Sequence, residues 1–266
     1  MNIKYVLAIY VLIFKVPFGL VARENLTAKE IMEKSREFVK LAGSEAVSKM
    51  TIIDSKGRER VREIAQATKL YDDGQTEKKI IRFLSPADVR GTGLLTFDYE
   101  TADDDMWLFM PALRKTRRIV SSEKAKNFMG SEFSYADISP ADLEDFTYSL
   151  VGDTEIGEES CWEIEMIPKD DEIADENGFS KRVAFIAKKD FVVRKAVYFD
   201  LDGELHKELA VSKVKLVDAA GQRYRPIHME MVNKQNDRRS ILEIKEIVFN
   251  PEVNDEFFTT RYLERY

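Results

Sequence analysis

The stretch that decides the fold is residues 105–119, which read DMWLFMPALRKTRRI. Five large apolar side chains, from Met106 to Met110, follow one another without a polar residue. A strand with one face in water would alternate apolar and polar residues, so we expect both faces of this strand to be covered. Pro111 lacks a backbone donor and ends the strand. The partner strand that follows is basic, which indicates an apolar interior with a cationic rim.

Similar strand patterns lie on both sides of this stretch, with turns between them and with little predicted helix. The further predicted strands are residues 46–54, 58–71, 78–84, 94–99, 146–151, 161–168, 182–187, 192–200, 205–217, 224–233 and 240–249. Neighbours joined by short turns pair antiparallel, and a sheet of about a dozen strands must curl or close. The sequence therefore predicts a mainly β fold, built on a single strongly curved antiparallel sheet or half-open β-barrel.

A few helices accompany the sheet. Residues 27–42 predict the first one, because Thr27 and Glu30 form a capping box ahead of an apolar stripe. Shorter helices are predicted at residues 139–144 and 254–263, whereas residues 169–180 are interpreted as an acidic loop. We expect the N-terminal helix and the short helices to cover the open side of the sheet.

Composition bounds the possible functions. Hydrophobic residues make up 44% of the 266 residues, which is enough for a substantial core. The formal net charge of −7 argues against a nucleic-acid partner, since such proteins are usually basic. Cys161 is the only cysteine, which excludes an intramolecular disulfide and a multi-cysteine metal site. No linker composition interrupts residues 23–266, so they are predicted to form one domain.

The N-terminus predicts export. A short cationic start at residues 1–4 is followed by an apolar run at 5–14 that extends through residues 16–22. This pattern is typical of a signal peptide at residues 1–22, with cleavage near Ala22. A membrane anchor is the weaker alternative, because Lys15 and Pro17 interrupt a run already shorter than the ~20 residues that a span needs.

No catalytic or metal-binding set is predicted, and no cofactor. His206 and His228 lie in different predicted strands without a neighbouring nucleophile or a metal-ligand spacing. Cys161 is most simply a small core residue. An exported hydrolase is disfavoured because no nucleophile–base pair is visible in the sequence.

The concave face of a curled sheet offers a different kind of site. Such a face is either filled by side chains or left open for a ligand. The candidates to line it are Phe83, Leu94, Phe97, Trp107 and Phe109. The pattern by itself favours ordinary core for these residues, with a ligand cavity as the alternative.

Two segments carry a resemblance to a known family. Residues 105–119, together with residues 128–137, which read FMGSEFSYAD, resemble the outer-membrane lipoprotein-sorting protein family. The match is to the LolA-like branch that is often found beside RND/MMPL-type exporters. In that branch a strand of the type WLYLPAL leads into RRI and then FMGSDFSYED. Phe109, Glu132 and Ala136 are among the departures, and the agreement in layout covers most of the chain after residue 22.

The resemblance implies a LolA/LolB-like incomplete β-barrel whose open side is plugged by helices. It implies a hydrophobic cavity for acyl chains and a periplasmic carrier that shuttles lipoprotein or other lipid toward the outer membrane. An inner-membrane transporter of RND/MMPL or ABC type is the implied partner. The alternative is a non-catalytic periplasmic adaptor of an RND/MMPL-type exporter, whose concave face would be packed and dry.

The irregular segment after residue 119 is the candidate cover of the cavity. Its apolar residues Phe128, Met129, Phe133 and Tyr135 are assigned to a lid, and Gly130 would give that lid freedom. Arg117 and Arg118 are assigned to headgroup or lid contact. The arginine that locks the lid in the lipoprotein carrier proper has no matching position in this sequence.

Overall fold

The fold is described from a computed structural model, which covers residues 26–139 and 142–265. In this part of the chain, 13 strands form one antiparallel sheet that does not close, which confirms the predicted fold class. The strands are β1 Gly43–Ile53, β2 Glu59–Tyr71, β3 Thr76–Ser85, β4 Gly93–Tyr99, β5 Asp105–Met110, β6 Lys115–Arg118, β7 Phe146–Ile156, β8 Glu159–Pro168, β9 Lys181–Ala187, β10 Val193–Phe199, β11 Leu205–Asp218, β12 Arg223–Asn233 and β13 Arg239–Phe249. The predicted signal peptide lies outside the described residues.

The strand order follows the chain with one long-range junction. Strands β1 to β6 form a meander on one side, and β7 to β13 form a meander on the other. The two meanders join where β1 pairs with β13, so β6 and β7 are left as the edges of the described sheet. Short turns permit this order. In the turn between β1 and β2, Gly57 has φ +77°, which glycine adopts without steric cost.

Three α-helices lie in the described residues: α1 Ala28–Val39, α2 Asp171–Asn177 and α3 Thr260–Leu263. The predicted capping box is confirmed, since Glu30 N donates to Thr27 Oγ1 at 3.2 Å and Thr27 N donates to Glu30 Oε2 at 2.7 Å. The interpretation of residues 169–180 as a loop is wrong. Asp170 accepts a hydrogen bond from Ile173 N and caps α2, which is too short to show a helical period in the sequence.

The two shorter helix predictions are corrected in their bounds. Residues 254–263 form a 3-10 turn, Asp255–Phe258, followed by α3, and Asn254 caps the turn as expected. Of the helix expected at residues 139–144, residues 140 and 141 lie outside the described residues, and the end forms a 3-10 turn, Leu143–Asp145, capped by Asp142.

Strand β5 separates two apolar clusters, which confirms that both of its faces are covered. Met106 and Leu108 belong to the cluster on the inner, concave face. Trp107 and Phe109 belong to a cluster on the outer face, under the C-terminal segment that carries α3. Gly93 permits this close approach, because a Cβ atom there would lie 2.6 Å from the side chain of Leu263.

Helix α1 packs on the inner face of the sheet. Ile31 is fully buried in the inner cluster, and Ala28 and Met32 are buried beside it. The helix therefore covers the hollow of the curved sheet, as predicted. In residues 26–139 and 142–265, no helix has both the length and the apolar character that crossing a membrane requires.

Candidate functional site

One side of the hollow is packed with side chains. There, residues 121–139, which we name the covering segment, lie over the inner face of β1 to β6. The Phe128 ring packs against Phe83 with centroids 5.6 Å apart and against Tyr135 at 5.5 Å. Phe83 and Phe128 are only 1% and 2% exposed. We name this side the filled half, because its own side chains occupy the space that a ligand would need.

The other side of the hollow contains a cavity of about 350 Å³. Strands β7 to β12, helix α1 and the end of the covering segment form most of its wall, and we name this side the open half. The apolar part of the wall includes Met32, Met166, Phe179, Leu209, Met229 and Met231. The volume lies in the range of small-molecule pockets, roughly 300–1,000 Å³. Methionine side chains are flexible, so a wall of this kind adapts its shape easily.

The register of β11 and β12 gives the apolar wall a direction. Leu209 pairs with Met231 and Val211 pairs with Met229, so these four residues form two adjacent apolar rows. Arg225, six residues before Met231 in β12, also lines the cavity. At roughly 3.4 Å per residue the distance along the strand is about 20 Å. The wall therefore runs from an apolar region to a cationic end.

Cationic groups outnumber acidic ones around this cavity. The lining includes five Lys or Arg side chains, Arg36, Lys40, Lys79, Arg182 and Arg225, and two acidic ones, Glu77 and Asp137. This excess of positive charge stands in a chain whose formal net charge is −7. It gives the open half a local potential that favours anions.

Both acidic groups of the lining already have partners. Glu77 Oε1 lies 3.4 Å from Lys79 Nζ. Burial acts to raise the pKa of Glu77, but Lys79 and Arg225 outweigh it and hold that pKa below its ordinary value. Asp137 accepts hydrogen bonds from the backbone N and the hydroxyl of Ser134. Both carboxylates are therefore engaged within the protein.

Two tyrosines connect the cover of the open half to the sheet. Tyr148 donates to the carbonyl of Leu143 at 3.0 Å, and Tyr198 donates to Asp137 Oδ1 at 3.4 Å. Burial raises the pKa of both hydroxyls, so they remain neutral hydrogen-bond donors at physiological pH.

The covering segment is fastened to the sheet through Glu132, which is 0% exposed. Its Oε2 accepts a hydrogen bond from Asn233 Nδ2 at 3.0 Å, and its Oε1 lies 2.9 Å from Arg238 Nε. Its backbone N donates to Ser240 Oγ at 2.9 Å, and its carbonyl accepts from Lys207 Nζ at 3.0 Å. The carboxylate is thereby tied to β12 and the turn after it, and the backbone of Glu132 to β11 and β13.

Further cationic side chains hold the backbone of the covering segment. Arg62 donates to the carbonyl of Met129 at 2.5 Å, and Arg238 donates to the carbonyl of Gly130 at 2.9 Å. Lys79 donates to the carbonyl of Ile138 at 2.7 Å. The part of the segment over the filled half is therefore held from several strands at once.

A second cavity, of about 360 Å³, lies beside the open half and has a different character. Many of its lining groups are carboxylates: Asp103, Asp104, Asp142, Asp145, Asp170, Glu172 and Glu176. Burial, and next the charge of Asp98, raise the pKa of Asp104 to about 6. Within the described residues, no His, Cys, Asp and Glu side chains group in a way that could hold a metal ion. This lining offers little to an apolar ligand.

The structure divides the five predicted cavity residues between two faces of the sheet. Phe83 and Leu94 lie in the inner cluster, within the filled half. Phe97, Trp107 and Phe109 lie in the outer cluster, with Phe97 and Trp107 5.1 Å apart. The expected face of these three is corrected, because side chains alternate along a strand and Trp107 and Phe109 point away from Met106 and Leu108. None of the five lines the cavity of the open half.

The predicted lid residues lie together over the inner face. Phe128, Phe133 and Tyr135 are buried in the inner cluster, and Met129 packs against it partly buried. Phe133 also lines the cavity of the open half. Their function as a lid stays a prediction.

The two arginines predicted for headgroup or lid contact form ion pairs at the edge of the sheet. Arg117 pairs at 2.6 Å with Glu123 of the covering segment, and Arg118 pairs with Asp105. Neither belongs to the cavity lining. The arginines that reach the backbone of the covering segment are instead Arg62 and Arg238.

The sequence interpretation missed the methionines and arginines of the open half. One signal was available in strand β12, where Arg225, Met229 and Met231 stand at odd positions and so can share a face. Which face this is depends on pairing with β11 and β13, so the local pattern does not identify a cavity wall.

Comparisons with known proteins bear on the fold and the family. A family model described as "Uncharacterized protein" matches residues 75–265, well over half of the chain. A comparison with curated proteins finds no match.

Among solved structures, a domain from Vibrio parahaemolyticus named as an outer membrane lipoprotein-sorting protein is 26% identical, with a TM-score of 0.81. The match covers 90% of this chain and 98% of that one. A DUF1329 family protein from Desulfovibrio piger is 25% identical with a TM-score of 0.81, over 89% and 97% of the two chains. A LolA superfamily protein from Nitrosomonas europaea is 19% identical with a TM-score of 0.68, over 89% and 99%, and this likeness supports the fold.

Proposed function

Since the chain belongs to the outer-membrane lipoprotein-sorting, LolA-like protein family, we propose that it is a periplasmic carrier of acyl chains. It binds the chains of a lipoprotein or another lipid in the open half and moves them toward the outer membrane. The observation that carries the proposal is the cavity of about 350 Å³ beside the apolar wall of Leu209, Met229 and Met231. No chemical step is needed for this function.

The hydrophobic effect is large enough to hold such a cargo. Each methylene that leaves water contributes about 0.8 kcal/mol, so ten buried methylenes contribute about 8 kcal/mol before the costs of binding. A carrier must also release its cargo. A cavity that the protein leaves partly unfilled allows both binding and release. The acyl chain has room to enter, and its contacts with the cavity wall stay incomplete, so it can leave again.

The structure favours α1 as the movable side of the open half. Lys29 of α1 pairs with Glu144 at 2.5 Å, but both side chains are exposed, so water weakens this contact. The covering segment, in contrast, is tied down by the buried Glu132. Displacing α1 therefore breaks fewer buried polar contacts than displacing residues 128–135.

A substitution that fills the open half tests the proposal. Val193 is half-buried and lines the cavity, so Val193→Phe should occupy the space that an acyl chain takes. We expect affinity for a fluorescent fatty acid, measured by displacement, to fall at least tenfold, or about 1.4 kcal/mol. The free energy of unfolding should change by less than about 1 kcal/mol, because the added ring enters existing space.

The matched control is Val248→Phe, the same change at a side chain that is 61% exposed. It should bind the fatty acid like the parent protein. The proposal fails if native mass spectrometry and displacement both detect no acyl ligand on the parent. It also fails if the two variants bind equally well.

A second candidate function rests on the edge of the sheet. Strand β7 forms one edge of the described sheet and exposes Leu150 and Val151, which are 46% and 58% accessible. A free strand edge can pair with a strand of another protein, so an adaptor function on an exporter fits this surface. Val151→Pro should then abolish copurification with the inner-membrane transporter and leave acyl binding intact. Copurification that survives this change would contradict the adaptor function.

A further inference from the structure

Arg225 is the most unusual group of the open half. Its Nε and Nη2 atoms are buried and have no hydrogen-bond partner among the described residues. Burial lowers the pKa of this guanidinium, and the charge of Glu77 opposes that effect. Glu77, however, is already paired with Lys79. An arginine in this state is unfavourable for the folded protein, since a buried donor without a partner costs about 1–3 kcal/mol.

The two unpartnered atoms of Arg225 form one edge of the planar guanidinium. That edge presents two parallel N–H groups, the arrangement that binds a carboxylate or phosphate with two hydrogen bonds. The Nε atoms of Arg36 and Arg182, which line the same cavity, are also buried without a partner. Three arginines around one cavity thus have donor capacity that the protein itself does not use.

The apolar wall and Arg225 are parts of one surface. Met229 and Met231 belong to the apolar region on β11 and β12. Arg225 lies at the other end of the cavity wall, about 20 Å along the strand from Met231. A ligand with an acyl chain and an acidic headgroup matches this surface, because it is apolar at one end and negatively charged at the other. Its chain would lie against the methionines, and its headgroup would reach the Nε and Nη2 edge of Arg225 when the wall that buries these two atoms moves aside.

We propose that the cargo of the open half is an acidic amphiphile, a fatty acid or an anionic phospholipid, whose headgroup binds the Nε and Nη2 edge of Arg225. This inference rests on the proposed carrier function and narrows its substrate class. It separates acidic lipids from the acylated end of a lipoprotein, where the fatty acids are held in ester and amide bonds and carry no negative charge. A ligand that supplies a partner to a buried donor removes the free-energy cost of that donor.

Paired ligands test the inference. Palmitate and methyl palmitate share the chain and differ in charge, and both displace the same fluorescent lipid. We expect the parent protein to bind palmitate at least tenfold more tightly than the ester. In Arg225→Gln this ratio should fall to near one, with the affinity for the ester unchanged. Inorganic phosphate and acetate at millimolar concentration should not displace the lipid, because they lack the chain.

Two controls separate a binding function from a structural one. Arg239→Gln removes a half-exposed arginine of β13 that pairs with Glu230, and it should keep the parent ratio. The thermal unfolding midpoint of Arg225→Gln should fall slightly, because the charge of Arg225 also holds down the pKa of the buried Glu77. Lower stability together with a retained ratio would make Arg225 a structural residue and overturn the inference.

Each of the remaining outcomes overturns a specific part of the inference. Equal binding of palmitate and its ester by the parent overturns the acidic headgroup but leaves the carrier function standing. Displacement by phosphate or acetate alone overturns the amphiphile in favour of a small-anion site. A ratio lost in Arg182→Gln but kept in Arg225→Gln overturns the assignment to Arg225. Failure of every lipid to bind removes the proposed carrier function itself.

Discussion

The filled half and the open half use the same sheet in opposite ways. In the filled half, Phe83, Phe128 and Tyr135 pack ring against ring, and the buried Glu132 fastens the covering segment. In the open half, methionines line a cavity of about 350 Å³, and Arg225 keeps unpartnered donors. The first half has the features of a core that stabilises the fold. The second lacks the close packing that stability alone would select.

This difference indicates that a curved sheet can hold a binding site on one side while the other side stabilises the fold. The fraction of surface buried on folding rises with chain size, so one well-packed side of a large sheet can support a side that is less well packed. The open half can then remain incomplete. We expect the stability of the protein to be most sensitive to substitutions in the filled half.

Removal of the buried carboxylate should give the largest effect. Glu132→Ala leaves Arg238 without its acidic neighbour and Asn233 without its acceptor, and keeps the backbone carbonyl that accepts from Lys207. We expect the free energy of unfolding to fall by about 3–5 kcal/mol, the range for breaking a buried ion pair. Urea denaturation measures this change. Glu132→Gln, which keeps an acceptor for Asn233, should lose less. A Glu132→Ala variant as stable as the parent would mean that the filled half is not fastened in this way.

Matched truncations compare the two halves directly. Phe128→Ala removes a ring that is 2% exposed and should destabilise the fold by about 3–5 kcal/mol. Met229→Ala shortens a half-buried side chain beside existing space, so its loss should be about 1–2 kcal/mol. Acyl affinity should show the opposite order at matched stability, with the larger loss in Met229→Ala. Equal losses of stability would erase the distinction between a packed and an unpacked half.

An ionisable group beside the second cavity should give a smaller, pH-dependent effect. The pKa of Asp104 is raised to about 6, so its contribution to stability is complete below the unfolded value of 3.8 and is lost as pH rises through about 6. Asp104→Asn should therefore raise the free energy of unfolding at pH 7.5 by roughly 1–3 kcal/mol. The same variant should match the parent near pH 4. A parent whose stability does not change relative to the variant between these pH values would contradict the raised pKa.

The sequence predicted the architecture because its signals are local. The unbroken apolar run of Met106 to Met110 indicated a strand covered on both faces, and Thr27 with Glu30 marked the start of α1. Antiparallel neighbours and short turns then imposed a curved sheet. These features depend on residues that are close along the chain, so a single sequence contains them.

The site was less accessible to sequence analysis, because it depends on contacts between distant residues. Trp107 and Phe109 are as apolar as Met106 and Leu108, and only the pairing with β4 and the docking of α3 decide which pair faces the hollow. A cavity is also a region without atoms, and no residue type in the sequence indicates where it lies. The unpartnered state of Arg225 becomes visible only when every group around it has been placed.

The most direct test follows methionine methyl groups by NMR as a fatty acid is added. Met32, Met166, Met229 and Met231 line the cavity of the open half, whereas Met50 and Met106 are buried in the inner cluster away from its lining. With carbon-13 methyl labels and palmitate, the first four signals should shift and show contacts to the chain, while the last two stay in place. Shifts of Met50 and Met106 without shifts of the four cavity methionines would contradict the assignment of the open half as the binding site.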